Sequence, residues 1–210
     1  MKELHIKKHH RVRIALLLGI MFLALGLLGA CGDSKGGAKT AEEAFTGFFE
    51  AMQEGDVEAM QSYLASPAAC PPLMNATKAQ GKTIAALVSR ASYAPPTVAE
   101  FDAGQLKEED APAKSAGAIV QINISNKNFL KVETMVSNAI TADLSTFAAK
   151  KEGEKQKFLQ ESIEQAMENV SETTETAVSL LITNVDGVWK IQDAEQLAEV
   201  LFGNGALLDL

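Results

Sequence analysis

Cysteine and histidine decide first which nucleophilic chemistry this 210-residue chain could perform. Its two cysteines are Cys31 and Cys70, and its three histidines all lie within the first ten residues. A thiol or hydroxyl nucleophile is commonly activated by a neighbouring imidazole, and protein zinc sites use histidine or several cysteines. If the first 30 residues are removed, no histidine remains, and Ser-His catalysis, Cys-His catalysis and histidine-bound metals are excluded. We expect Cys70 to be a buried, unreactive thiol.

A second candidate for chemistry is the segment from Ala76 to Thr83, which ends in Gly-Lys-Thr as phosphate-binding loops do. Such a loop needs a leading glycine and a buried strand before it, so that successive backbone N–H groups can surround a phosphate. Ala76 stands at the position of that glycine, and the proline-containing residues 70–75 do not have the pattern of a strand. We therefore interpret Lys82 as a solvated helix residue and expect no cofactor.

Three glutamates, Glu161, Glu164 and Glu168, have a spacing that places them on one face of a helix. Their carboxylates could bind calcium, but the sequence lacks the Asp-rich loop of the common calcium sites. Exposed helices often carry acidic residues at this spacing. We therefore predict a solvated acidic face and no metal site.

Residues 1–31 contain the three parts of a secretory signal: a basic start, the uncharged run Ile14 to Leu28, and a small-residue cleavage site. The junction Leu28-Gly29-Ala30-Cys31 resembles the bacterial lipobox, in which the cysteine thiol is acylated and the chain is cut before it. Two or three acyl chains, including palmitate, anchor a protein stably to a bilayer. We predict a signal peptide at 1–30, lipid on Cys31, and attachment to the cell membrane. An uncleaved transmembrane helix is the alternative, and both arrangements place residues 32–210 on the extracytoplasmic side.

Charge excludes one class of partner for the part of the chain that follows the predicted cleavage site. The whole chain has 19 basic and 27 acidic residues; the first 30 residues hold five and one of these, which leaves 14 and 26 and a net charge of −12. A domain this acidic is repelled by phosphate backbones, so we expect no nucleic-acid partner. Residues 31–39, which are glycine-rich and polar, are predicted to be a flexible tether. Residues 40–210 are long enough for a single domain.

Hydrophobic spacing predicts the elements of this domain. Three helices are predicted first: one from Thr40 to Gly55, one that Asp56 caps and Ser66-Pro67 ends, and one over residues 77–92. Strands are then predicted from Val98 to Leu106 and from Ala116 to Ser125, with an exposed loop from Lys107 to Lys114 between them. A hairpin of Thr176 to Val185 and Val188 to Ile191 turns at Asp186-Gly187.

Two further helices are predicted between the strands. The first places Phe129, Val132, Val136, Ile140, Leu144 and Phe147 on one face. The second places Leu159, Ile163, Ala166 and Val170 on one face, after a break at residues 150–153. A last helix is predicted to be capped by Asp193 and to end at Gly203.

Two segments, AEEAFTGFFEAMQEGDVEAMQSYL and SLLITNVDGVWKIQD, carry a family resemblance. They resemble bacterial lipoproteins of the nuclear-transport-factor-2-like (cystatin-like) group. The resemblance implies an α+β fold in which helices pack on a curved antiparallel sheet and leave a cone with an internal pocket. The helical pair at 128–170 is then an addition inserted between strands. Candidate pocket residues are Tyr63, Tyr93, Phe101 and Trp189, and we expect Trp189 to be largely buried.

The same resemblance raises an enzymatic alternative. Enzymes similar to steroid isomerases use a pocket carboxylate as the base and phenols as oxyanion donors. Asp102, Tyr63 and Tyr93 are residues of these types, but nothing in their spacing brings them together. We therefore predict no catalytic residues and a protein that is not an enzyme, with an isomerase or dehydratase as the second alternative.

Two binding functions compete. A pocket between sheet and helices would bind a small amphipathic ligand through apolar walls and a few polar groups. Alternatively, an outer face, such as the helices at 128–170, would bind an envelope protein beside the membrane. The negative charge would attract basic partners or cations. The sequence favours binding over catalysis, and the small ligand is our first expectation.

Overall fold

The structure, a computed structural model, describes residues 37–102, 116–203, 205, 207 and 208. The predicted signal peptide, the Cys31 lipidation site and most of the tether lie outside these residues. So do the predicted loop Lys107 to Lys114 and the end of the predicted strand Val98 to Leu106.

Helix α1 (Ala41–Glu54) begins and ends where the sequence predicts. The Thr40 hydroxyl accepts a hydrogen bond from the N–H of Glu43 at 3.1 Å, and Gly55 ends the helix with a φ of 70°. Only glycine adopts that left-handed conformation without cost, so it is a common helix stop. One face of α1 is buried, through Ala41, Ala44, Phe45, Phe48, Phe49, Ala51 and Met52.

Helices α2 (Val57–Tyr63) and α3 (Gly81–Val88) pack on α1. The Asp56 carboxylate caps α2 by accepting from the N–H of Ala59 at 3.0 Å, as predicted. The third helix is shorter than the predicted 77–92, because Lys78–Gln80 forms a 3-10 turn before it. Two more 3-10 turns, Pro67–Ala69 and Pro71–Leu73, lie between α2 and α3.

The sheet is antiparallel and consists of β1 (Ser92–Tyr93), β2 (Thr97–Asp102), β3 (Ala116–Lys127), β4 (Thr173–Val185) and β5 (Val188–Asp193). β1 and β2 follow one another along the same side of β3, β4 pairs with the other side of β3, and β5 pairs with β4. The predicted hairpin is confirmed: Asp186 and Gly187 have φ values of 54° and 87°. Two positive φ values in a two-residue loop match the twist of the paired strands.

One face of the sheet packs on the helices, and side chains alternate accordingly. The buried apolar side chains of β3 to β5 are Ala118, Val120, Ile122, Ile124, Val178, Leu180, Ile182, Trp189 and Ile191. Trp189 is 7% exposed, which confirms its predicted burial. On the opposite face Gln121, Asn123 and Ser179 are exposed, so a helical layer covers only one side of this part of the sheet.

Three helices connect β3 to β4: α4 (Phe129–Ala142), α5 (Leu144–Ala149) and α6 (Glu152–Asn169). The predicted first helix, continuous from Phe129 to Phe147, is wrong, because Asp143 leaves the helical region with φ −135° and ψ 47°. Only Val132 and Val136 of α4 are buried, and no residue of α5 is. Packing therefore does not hold the chain helical through Asp143.

The last helix, α7 (Glu195–Phe202), begins one residue later than predicted. Ala194 is its N-cap residue rather than Asp193, although the Asp193 carboxylate still accepts from the N–H of Glu195 at 2.8 Å. Gly203 ends the helix, as predicted, with a φ of 57°.

The predicted fold class is confirmed: the protein is α+β, with helices packed on a curved antiparallel sheet and a helical insertion between two strands. The predicted domain begins at residue 40, but two residues before it also pack on the fold. Ala38 is buried and pairs with Trp189, whose N–H donates to the Ala38 carbonyl at 3.0 Å. Residues 38 and 39 of the predicted tether therefore belong to the folded domain.

Candidate interaction surface

Aromatic rings fill the space between α1 and the β1 side of the sheet, where a pocket between sheet and helices would lie. Tyr93 packs edge-on against Phe45 and Phe49, with ring centroids 4.8 and 4.9 Å apart. Phe45 and Phe49 are themselves 5.9 Å apart. Such tilted and edge-to-face pairs are typical of a packed core. Tyr93 is therefore part of the core here.

The four candidate pocket residues do not line one cavity. Tyr93 and Trp189 face the helices, but they lie at opposite ends of the sheet. Tyr93 pairs with Ile124, which pairs with Thr176 on β4, whereas Trp189 pairs with Asn184 on β4. Thr176 and Asn184 are eight residues apart. That separation is roughly 26 Å along a strand. Phe101 lies on the other face, where its ring covers Gly117.

Tyr63, the fourth candidate, lies at the end of α2 with its phenol against Gly47 of α1. Burial, and then the charges of Glu50, Glu43 and Glu54, raise the pKa of this phenol. Raising the pKa of an acid keeps it protonated, so Tyr63 is a neutral hydroxyl at neutral pH.

The groups of the enzymatic alternative are also apart. Asp102 pairs with Ala116 and Tyr93 with Ile124, eight residues further along β3. The two backbone positions are therefore separated by roughly 26 Å. A base and an oxyanion donor must both lie within hydrogen-bond reach of one substrate, which this spacing prevents for Asp102 and Tyr93.

The remaining chemical candidates are the Cys70 thiol, Lys82 and the three glutamates of α6. Cys70 is buried, and burial raises the pKa of its thiol to about 12. Lys82 is exposed on α3, and the turn before α3 is a 3-10 turn rather than the end of a strand. The glutamates at 161, 164 and 168 are exposed on α6. Among the described residues, no group of acidic, cysteine or histidine side chains is arranged to hold a metal ion.

The helical insertion, residues 129–169, is called the arm here because it is anchored at one end only. Its base packs on the core through Val132 and Val136 of α4 and through the second half of α6, whose buried residues include Leu159 and Ile163. α4 and α6 pack on each other, and α6 also packs on α3. Ile140 near the end of α4 is partly buried against the core. No residue from 143 to 158 is buried, and these residues are called the tip of the arm.

The tip has a small aromatic contact of its own. The rings of Phe147 and Phe158 lie 5.5 Å apart, and Lys150 and Lys155 lie over these rings at 5.8 and 6.0 Å. A cation over an aromatic face stabilises exposed structure by about 0.5–1 kcal/mol. The tip is therefore held by weak, solvent-accessible contacts.

The arm displays most of the large apolar side chains that the described residues expose. Leu130 is 70% exposed, Leu144 58% and Met135 37%; the fourth, Met74, is 46% exposed and lies outside the arm. Leu144 lies on the apolar face of the predicted continuous helix, but in the structure the helix breaks at Asp143 and Leu144 is exposed. Leu130 and Met135 do not belong to that apolar face, and this is the signal for their exposure in the sequence.

A groove of about 330 Å³ lies at the base of the arm, between α4 and the segment that leads from α6 into β4. Lys131 and Glu172 form an ion pair across it, with Nζ and Oε1 2.5 Å apart. Met135 and Val170 supply apolar surface in its wall. The full lining is Lys131, Thr134, Met135, Asn169, Val170, Ser171 and Glu172.

Comparisons of the chain with models of protein families, with curated proteins and with solved structures found no match. Within residues 37–102 and 116–203 no helix combines the length and the apolar character needed to cross a bilayer.

Proposed function

We propose that this protein is a lipid-anchored lipoprotein on the extracytoplasmic side of the cell membrane, and that it is a non-catalytic module that binds a protein partner through its arm. The observation that carries the proposal is where the exposed apolar side chains lie: of the four large ones among the described residues, Leu130, Met135 and Leu144 are on the arm. Exposed apolar surface on one part of a protein is typical of interaction sites, and methionine is enriched in interfaces.

The composition of the arm supports the same proposal. Residues 134–149 contain one charged residue, Asp143, although 22% of the whole chain is charged. The centres of protein interfaces are depleted of charged residues. This stretch contributes little to the core, since only Val136 in it is buried. Its uncharged character is therefore better explained by contact with a partner than by folding.

A small amphipathic ligand is the second candidate, and the groove supports it. Its volume of about 330 Å³ is at the lower end of small-molecule sites. It combines the apolar Met135 and Val170 with the charged pair Lys131–Glu172. We place such a ligand at the base of the arm rather than in the core pocket that the family resemblance implies, because the rings of Phe45, Phe49 and Tyr93 fill that space.

The lipid anchor is tested by replacing the cysteine. We expect Cys31→Ser to abolish fatty-acid labelling and to block removal of the first 30 residues, because serine offers no thiol to acylate. Cys70→Ser is the matched control, since Cys70 is the other cysteine and is buried; it should label as the unaltered chain does. Labelling and processing of Cys31→Ser at the level of the unaltered chain would contradict the anchor.

The partner is tested with a matched pair of surface variants. The full chain is purified in mild detergent from cells treated with a chemical crosslinker, and the proteins that co-purify are quantified. We expect Leu130→Ser combined with Met135→Ser to lose a co-purifying protein that Met74→Ser retains, because Met74 is also exposed but lies outside the arm. Equal recovery with both variants would contradict the proposal. A small molecule seen by native mass spectrometry, and lost in the arm variant alone, would favour the second candidate instead.

A further inference from the structure

Strand β4 is paired on both sides for only part of its length. β3 pairs with all of it, from Thr173 to Val185. β5 has six residues and pairs with β4 only from Leu181 to Val185. Within the described residues, no strand pairs with the outer side of β4 from Thr173 to Leu180. This segment is called the free edge.

Two hydrogen bonds show which backbone groups of the free edge point outward. The carbonyl of Asn123 on β3 accepts from Ala94, on the β1 side, so odd-numbered residues of β3 direct their backbone away from β4. Their partners across the ladder, Ala177 for Asn123 and Ser179 for Gln121, must then direct theirs away from β3. The N–H of Ser179 confirms this, since it donates outward to the side chain of Gln196 at 3.1 Å.

The outward N–H and C=O groups of Thr173, Glu175 and Ala177 have no such partner among the described residues. All three residues are exposed. The segment Thr-Thr-Glu-Thr-Ala is rich in threonine, which favours strands, and lacks the proline and lysine that commonly protect an edge. It offers three donors and three acceptors in the spacing of a strand.

The β5 side of the sheet shows the contrast. Ala38 pairs with Trp189 and Leu64 pairs with Ile191, and the N–H of Ala65 donates to the Ile191 carbonyl at 2.8 Å. Segments of the chain itself therefore cover the outer edge of β5. The free edge of β4 lacks an equivalent covering segment in the part of the chain that the structure describes.

The free edge continues the groove at the base of the arm, because Glu172 is the last residue of the groove lining and Thr173 begins the edge. Acidic side chains border this combined surface: Glu172 and Glu175 on the strand side, and Glu195 and Glu199 on α7, whose Gln196 contacts Ser179. Lys127 and Lys131 are the basic residues beside it. The border is therefore net acidic, in keeping with the charge of the domain.

We propose that the free edge binds an extended, basic segment of a partner protein, which adds a strand to the sheet next to Thr173–Ala177. Main-chain hydrogen bonds to an exposed edge give affinity in this mode of recognition, and flanking side chains give specificity. Lysine or arginine side chains of the segment lie against Glu175 and Glu199, and its apolar end enters the groove at Met135. The inference rests on the proposed function in that the partner is a protein.

The test is hydrogen exchange measured by NMR on the full chain in detergent micelles, with a synthetic peptide that alternates threonine and valine with lysine. The peptide is used at on the order of 1 mM, because single added strands bind weakly. We expect the amides of Thr173, Glu175 and Ala177 to exchange at least about tenfold more slowly with the peptide. Those of Thr174 and Thr176, already bonded to β3, should not change. Unchanged exchange at the odd-numbered amides would overturn the inference.

Two glutamates on outer edges provide matched variants. Glu175 on β4 and Glu100 on β2 are both exposed and both direct their N–H away from β3. Proline is tolerated at such edge positions but cannot donate. We expect Glu175→Pro to abolish the peptide-induced protection and Glu100→Pro to retain it. Glu175→Lys combined with Glu199→Lys keeps the backbone intact and should also abolish it by repelling the peptide. Equal protection in all three variants would overturn the inference.

The outcomes separate this inference from the proposed function. If the arm variants lose their partner but the peptide leaves the free edge unprotected, the strand addition is wrong and the protein-binding function stands. If the peptide protects the edge but the arm variants retain every partner, the arm is not the contact surface.

Discussion

The described residues outside the arm, called the core half, and the tip of the arm use apolar residues in opposite ways. α1 buries seven of its 14 residues, including three phenylalanines, whereas α5 buries none of its six and exposes Leu144. In the core half, burial of apolar surface explains the large apolar side chains other than Met74, which is 46% exposed. At the tip, burial explains almost none of the large apolar side chains. We infer that folding determines the sequence of the core half, whereas the sequence of the arm can be adapted to bind a partner.

The largest effect is expected for a core phenylalanine. Phe48→Ala should lower the free energy of unfolding by about 3–5 kcal/mol, because Phe48 is fully buried and alanine leaves a cavity. Phe147→Ala at the tip should cost only about 1 kcal/mol, the contribution of an exposed aromatic pair. Urea unfolding followed by Trp189 fluorescence measures both. Similar losses of unfolding free energy in the two variants would contradict the proposed difference between the core half and the tip.

The next effect depends on pH and concerns the buried thiol. Burial raises the pKa of Cys70 to about 12, well above that of a free thiol, which is about 8.5. The folded state therefore retains a proton that the unfolded state loses, and stability must fall as pH rises between these values. The loss is up to about 1.4 kcal/mol for each pH unit. Cys70→Ala should have a flatter stability profile above pH 9 by urea unfolding; identical slopes would contradict the burial of this thiol.

Substituting a glycine in the core half and a glycine on the arm should have opposite effects on stability. A Cβ added at Gly81 would meet the carbonyl oxygen of Gly55, where α1 and α3 approach closely, whereas one added at Gly153 on the arm has nothing within 4 Å. Gly81→Ala should cost about 1–3 kcal/mol through overpacking. Gly153→Ala should stabilise the protein by about 0.5 kcal/mol, because alanine favours the helix. Denaturation midpoints at an unchanged m value test both signs.

The smallest stability effect is expected at the exposed leucine of the tip. Leu144→Ser should change the free energy of unfolding by less than about 0.5 kcal/mol, since it removes no buried contact. It should nevertheless reduce co-purification of the partner. Thermal unfolding checks the first expectation. A marked loss of stability would mean that Leu144 contributes to folding after all.

Much of the core half could be predicted because its signals are local. Thr40 and Asp56 cap the helices that they precede, and Asp186-Gly187 forms the predicted turn. The break at Asp143 could not be predicted, because the apolar spacing continues from Ile140 through Leu144 to Phe147. Periodicity records which side chains share a face, but not whether anything packs against that face.

The separation of the four pocket candidates could not be predicted from the sequence for a related reason. Aromatic type indicates that a side chain will be covered, but strand register decides on which face and at which end of the sheet. Phe101 and Tyr93 face opposite sides because β2 and β1 pair with different residues of β3. The free edge was hidden from sequence analysis as well, since it follows from β5 being shorter than β4.

The central claim, that the arm is the contact surface, is tested most directly by site-specific photocrosslinking in intact cells. A photoreactive amino acid replaces Met135 on the arm or Met74 outside it, two methionines of similar exposure. We expect a discrete crosslinked protein from position 135 and none from position 74. Crosslinking that is equal at the two positions, or found only at position 74, would contradict it.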